Sequence, residues 1–174
     1  MPDIKAPAKT LIALGSERRV VLNRIGKPAV LLFLARETAD DGPPINARLR
    51  ESYPLATDLM TASVVDLHIV PRLVRSIAEA AMRHAYEKAV QRFPREFKLP
   101  QPDMVVDPED YILILPDWDG SVTRAFGMRN PAKTPGVAVL DTQGQLVGIQ
   151  QGGDLAEAAL GFLEQLGSGN RVFD

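Results

Sequence analysis

Cysteine is absent from all 174 residues. Disulfide exchange needs a thiolate as nucleophile, so that chemistry is excluded whatever the fold. Histidine is scarce too. His68 and His84 are the two in the chain, with no carboxylate at ligand spacing, so a structural role is favoured over a metal site. Charge of one sign is missing as well. A net charge of −2 gives no electrostatic case for nucleic acid or an anionic membrane. Arg18-Arg19 and the scatter Arg72, Arg75, Arg83, Lys88 and Arg92 read as solvated faces. No apolar run approaches the ~20 residues that span a bilayer. Met1–Ala13 carries Asp3, Lys5 and Lys9 where a signal peptide would be apolar. A cytoplasmic location is expected, although missing cysteines are silent on the compartment.

What is present suits one domain over residues 1–174, with 45% apolar residues and a substantial core. Thr10–Leu14 and Arg19–Leu22 read as short strands around Gly15-Ser16. Ala29–Ala35 is a continuous apolar run, the mark of a strand buried on both faces. Arg36–Pro44 turns polar and reads as a loop, followed by a helix to about Ser52. Ala62–Val70 predicts a second strand. Pro71–Phe93 predicts the longest helix, with Val74, Ile77, Ala78, Ala81, Ala85, Ala89 and Phe93 as its packed stripe. Pro94, Pro100, Pro102 and Pro108 mark an irregular connection. Tyr111–Leu115 predicts a strand, and a short helix reaches Phe126. Gly136–Leu140 and Gln145–Ile149 form a hairpin signal around Asp141-Thr-Gln-Gly144. Asp154 predicts the N-cap of a last helix to Leu166, with a frayed tail from Gly167. The order implies an α/β mixed central sheet with helices on both faces, extended by a long crossover helix.

That order resembles the thioredoxin-like fold, in particular its thiol-disulfide oxidoreductase and peroxiredoxin group. Gly26-Lys-Pro-Ala-Val-Leu-Leu-Phe-Leu-Ala35 resembles the family's central strand, and Asp117–Gly127 the stretch before its cis-proline. Thr134-Pro-Gly-Val-Ala-Val-Leu-Asp-Thr-Gln-Gly-Gln-Leu-Val147 resembles that proline, its strand and the following turn. The resemblance implies a cis bond at Pro135. It also places Thr38 where the first or peroxidatic cysteine belongs. A threonine hydroxyl has no accessible thiolate-like state, so neither disulfide exchange nor peroxide reduction is expected.

Other motifs have competing readings. Asp117-Trp-Asp-Gly-Ser121 resembles the first motif of haloacid-dehalogenase-like phosphotransferases, where the first Asp is nucleophile, the second an acid/base, and Mg²⁺ binds nearby. The stretch after Ser121 lacks room for that family's downstream motifs. Asp119 as a helix N-cap, with Gly120 permitting the turn, is the favoured reading. Ser63 or Ser121 with His68 lacks the glycine pattern of a nucleophile elbow. Glu37, Asp40 and Asp41 read as a solvated loop, and Gly152-Gly-Asp154 as no phosphate cradle.

The functional expectation is a redox-inactive, adaptor- or chaperone-like module that binds an unidentified protein or peptide, with no catalytic residues, metal or cofactor. By analogy of fold, the groove would comprise Arg36, Glu37, Thr38, Asp117, Trp118, Thr134 and Pro135. Two alternatives stand beside it: a non-thiol enzyme built on Asp117 and Asp119, and a homodimer or complex subunit joined through the alanine-rich helix.

Overall fold

The computed structural model describes residues 4–96, 100, 101 and 103–169. A five-stranded sheet is its centre, in the order β5-β4-β3-β6-β7. β3 (Ala29–Leu34), β4 (Met60–Asp66) and β5 (Ile114–Asp117) are parallel, while β6 (Gly136–Leu140) and β7 (Leu146–Gln151) close one edge as an antiparallel hairpin. Asp141 makes that turn by accepting hydrogen bonds from the Gln143 and Gln145 backbone N–H groups, both at 2.8 Å.

Every residue of β3 is buried. Its alternate side chains therefore serve two cores. Val30, Leu32 and Leu34 pack with Leu49 of α1 (Gly42–Ser52) and with Leu155, Ala159 and Leu163 of α4 (Leu155–Gly169). Leu31 and Phe33 face the other way, towards Val122 and Phe126 around α3 (Ser121–Ala125). The same face takes Leu11 and Val20 of a separate antiparallel pair, β1 (Thr10–Ile12) and β2 (Arg19–Val21). Helices thus cover both faces of a mixed sheet, as expected.

Several boundaries move. Residues Arg36–Asp41 form a 3₁₀ turn rather than a loop, and β4 stops at Asp66 rather than Val70. Leu67–Val70 continues the apolar pattern but leaves the ladder in a turn, with Val70 N–H donating to the Leu67 carbonyl at 2.9 Å. β5 begins at Ile114, because Tyr111 ends a 3₁₀ turn over Pro108–Asp110 and spreads beneath the Arg50 guanidinium, 4.9 Å away. Arg50 is buried, and its Nη atoms donate to the Tyr53 and Leu59 carbonyls and to Thr61 Oγ1. Burial lowers its pKa.

The largest departure concerns α2 (Arg75–Glu96). Its length matches the expected crossover helix, but its packed stripe does not. Val74, Ile77, Ala81 and Ala85 are exposed, and Tyr86 is its one buried residue among those described. The Tyr86 ring lies against Gly15, whose φ of +87° and missing side chain leave room for it; a Cβ there would sit 2.2 Å from the ring. Arg83 pairs with Glu17 of the same turn at 3.3 Å, and Phe93 meets Tyr111 at 5.3 Å between centroids. The helix is thus moored to the β1–β2 turn rather than laid on the sheet. It also continues past Pro94 to Glu96, while residues 97–99 and Pro102 of the expected irregular connection lie outside the described residues. Likewise α4 runs on through Gly167 to Gly169, and residues 170–174 of the expected frayed tail lie outside them.

Candidate functional site

The three parallel strands β3, β4 and β5 end at one rim of the sheet, where β6 also begins and β7 finishes. Open α/β sheets collect ligands at this end of their parallel strands.

Beyond β3, Thr38 sits in the 3₁₀ turn with 8% of its surface exposed. Its Oγ1 accepts the Ala35 backbone N–H at 3.0 Å and donates to the Pro131 carbonyl at 2.8 Å. Thr38, expected from the resemblance to stand at a reactive-cysteine position, is a buried pin joining two segments of the rim. Arg36 and Glu37 beside it are exposed.

The segment ahead of β6 is held from β7. Gln151 Nε2 donates to the Thr134 carbonyl at 2.8 Å and to the Arg129 carbonyl, while its Oε1 accepts the Arg129 N–H at 3.1 Å. Gly152 N–H donates to the Pro135 carbonyl at 2.9 Å, adding a rung to the β6–β7 ladder. No cis peptide bond occurs among the described residues, so the expected cis bond at Pro135 is corrected to trans. Trans is the ordinary isomer before proline by about 0.5–1 kcal/mol. Here the bonds to the Thr134 and Pro135 carbonyls accompany an extended entry into β6.

At the end of β5, Asp117 is fully buried. Its Oδ2 accepts the Thr123 N–H and Oγ1–H, both at 2.8 Å, and Oδ1 accepts the Val122 N–H at 3.4 Å. Asp117 therefore satisfies the otherwise unpaired donors of α3's first turn. Gly120, at φ +67°, occupies the N-cap position expected for Asp119. Asp119 instead accepts the Ser121 N–H at 3.0 Å and the Lys9 ammonium at 2.8 Å. Lys9 also donates to Ser121 Oγ and lies 3.9 Å from Asp117. The bond from Lys9, aided by Ser121, holds the Asp119 carboxyl well below the usual carboxylate range.

Between these two places stands the end of β4, where the strand was expected to run on through His68 to Val70. Buried Asp66 accepts the His68 backbone N–H at 3.1 Å and faces His68 Nδ1 at 2.7 Å. The His68 side chain is 49% exposed, beyond the strand rather than on its face. After β5, the Arg75 guanidinium lies 5.3 Å over the half-buried Trp118 ring and donates to the Trp118 carbonyl at 3.3 Å.

The expected site residues thus fall into two groups. Arg36, Glu37 and Thr38 meet the segment leading to Thr134 and Pro135, because β3 and β6 are neighbours. Asp117 and Trp118 stand two strands away, roughly 10 Å on strand spacing, with Asp66 and His68 between. Among the described residues, no three His, Asp or Glu side chains converge as a metal site.

No protein-family model matches the sequence, and no curated protein matches it. Solved structures do resemble the fold almost end to end. The exposed lipoprotein thioredoxin Etrx1 of Streptococcus pneumoniae strain TIGR4 is 19% identical with a TM-score of 0.59, covering 90% of this chain and 98% of that one. A putative thiol:disulfide interchange protein DsbE from Chlorobium tepidum is 15% identical with a TM-score of 0.57, over 94% and 95%. A putative thioredoxin from Neisseria meningitidis is 16% identical with a TM-score of 0.56, over 99% and 94%. At these identities the likeness establishes the fold, which is thioredoxin-like. The thiol chemistry in those names requires cysteine, and this chain has none.

Proposed function

We propose that this redox-inactive thioredoxin-like protein binds polypeptide at the rim formed by Arg36–Gly42, Asp117-Trp118 and Thr134-Pro135. One observation carries the reading: Thr38, which the resemblance places at the reactive position, is a structural joint. Thr38 spends its hydroxyl on Ala35 and Pro131, so it tightens the rim instead of offering a nucleophile. Around it, Arg36 and Glu37 face solvent and Trp118 is half-buried. A fixed edge with backbone groups and an aromatic side chain suits an extended chain. The names of the structural neighbours describe thioredoxins and thiol:disulfide interchange proteins; binding without exchange is what remains when the sulfur is removed. A cytoplasmic setting belongs to the same proposal.

The phosphotransferase alternative meets a geometric objection. Its nucleophile would be Asp117, which is fully buried with both oxygens engaged by α3. Its acid/base, Asp119, is bound to Lys9.

The test is affinity purification of the tagged protein from its own cells, with bound proteins identified by mass spectrometry. A specific partner retained by the unmodified chain and lost with Trp118→Ala and Pro135→Ala supports the rim. A partner indifferent to both substitutions overturns it. If nothing specific is retained, Mg²⁺-dependent phosphatase activity with an Asp117→Asn control is the next measurement.

A further inference from the structure

Eight large apolar side chains are exposed among the described residues, and four of them fall within the nine positions from Ile69 to Ile77. Leu73 is 93% exposed, Ile77 68%, Ile69 67% and Val74 39%. Single exposed aliphatics are ordinary, but a contiguous group on a soluble surface marks an interaction site.

This surface is also fixed. Leu67 N–H donates to the Asp117 carbonyl at 3.1 Å, Val70 N–H to Leu67, and Val74 N–H to Pro71 at 3.0 Å. Arg75 fastens the start of α2 to Trp118. The exposed aliphatics are therefore displayed by a braced segment that continues the rim outward from Trp118.

Charge narrows the occupant. Residues 67–78 contain no acid, although Arg72, Arg75 and His68 lie among them. The neighbouring carboxylates are engaged: Asp66 with His68, Glu79 with Arg83, Asp119 with Lys9. Arg72 is exposed and has no carboxylate partner among the described residues. A second copy docking the same face would set Arg72 and Arg75 against the same two cations of its partner. An anionic bilayer recruits clusters of about four to eight basic residues, far more than one unpaired arginine.

We infer that residues 69–77 dock an acidic polypeptide segment bearing branched aliphatic side chains. The inference rests on the polypeptide-binding reading of the rim and supplies the chemistry of its partner. Leucine or isoleucine side chains cover Leu73 and Ile77, and a carboxylate meets Arg72.

The probe is a short fluorescent peptide of leucine and glutamate, titrated with the full chain and followed by anisotropy; a leucine–lysine peptide is the reference. Leu73→Asp with Ile77→Asp weakens binding by about tenfold or more. Arg72→Glu weakens it severalfold, and added salt does the same. Circular dichroism of each variant stays unchanged, since all three side chains are exposed. Equal binding of the lysine peptide, or no effect of the paired substitution, overturns the inference. So does retention on phosphatidylglycerol vesicles alone, which assigns the patch to a membrane. A sedimenting dimer abolished by Leu73→Asp assigns it to a second copy and also overturns the inference. Binding that needs Trp118 but ignores Leu73 and Ile77 leaves the rim reading standing without the patch. Binding that needs Leu73 but ignores Trp118 and Pro135 does the reverse.

Discussion

Asp117 and Asp119 stand two residues apart and do opposite work. The buried one is spent on α3: replacing Asp117 by Ala leaves the Thr123 and Val122 donors without a partner, a loss of about 2–3 kcal/mol by the ordinary worth of a buried charged cap. Urea unfolding measures it as a lower midpoint at unchanged slope. Asp119 faces solvent with 65% of its side chain exposed, and its carboxyl titrates below the normal value near 3.9 because Lys9 donates to it. The folded pKa is depressed, so the associated stability is complete above the unfolded value and lost as pH falls through the folded one. Carbon-detected NMR titration shows the low value, and Lys9→Met raises it. Thr38 shows how far one residue could be understood from sequence alone. The missing thiolate followed from composition; the hydroxyl's role did not, because its partner is the carbonyl of Pro131, a backbone atom without any side-chain signature.

Elements with a local code were legible. The apolar run of β3 and the Asp141–Gly144 turn each carry their own instruction, in burial and in turn chemistry. The α2 helix shows the limit. Its period correctly announced a helix, yet period alone cannot name the surface it meets. Its mooring depends on Gly15, whose φ of +87° and bare Cα admit Tyr86. Tyr86→Ala therefore loosens α2 while leaving the sheet intact. Hydrogen exchange over residues 75–96 accelerates about tenfold or more, with little change in β3 and β4. Gly15→Ala produces the same pattern from the other side of the contact, adding backbone strain of about 1 kcal/mol. Similarly, the expected β4 runs too far because Leu67, Ile69 and Val70 look like strand residues, whereas the chain has already left the ladder, burying Leu67 and exposing Ile69.

For the whole molecule, β3 is the common wall of both cores. Phe33→Ala opens a cavity against Phe126, 5.1 Å away between ring centroids, at about 3–5 kcal/mol. Because both faces depend on that strand, fluorescence and circular dichroism report the same lowered urea midpoint, in contrast to the local loosening at Tyr86. Fold class was readable at this scale from element order, whereas the cis bond at Pro135 was implied by the family resemblance alone, and the bond is the ordinary trans one. The joints on the β3–β6 side of the rim, Thr38 to Pro131 and Gln151 to Thr134 and Arg129, are all neutral. Protons and ions leave them untouched, so this side of the rim keeps its shape across pH and salt. On the proposed polypeptide-binding reading, the expected association rate there is about 10⁵–10⁷ M⁻¹s⁻¹, set by orientation and unchanged by pH; stopped-flow mixing measures it, and differences among partners are expected in how long they stay.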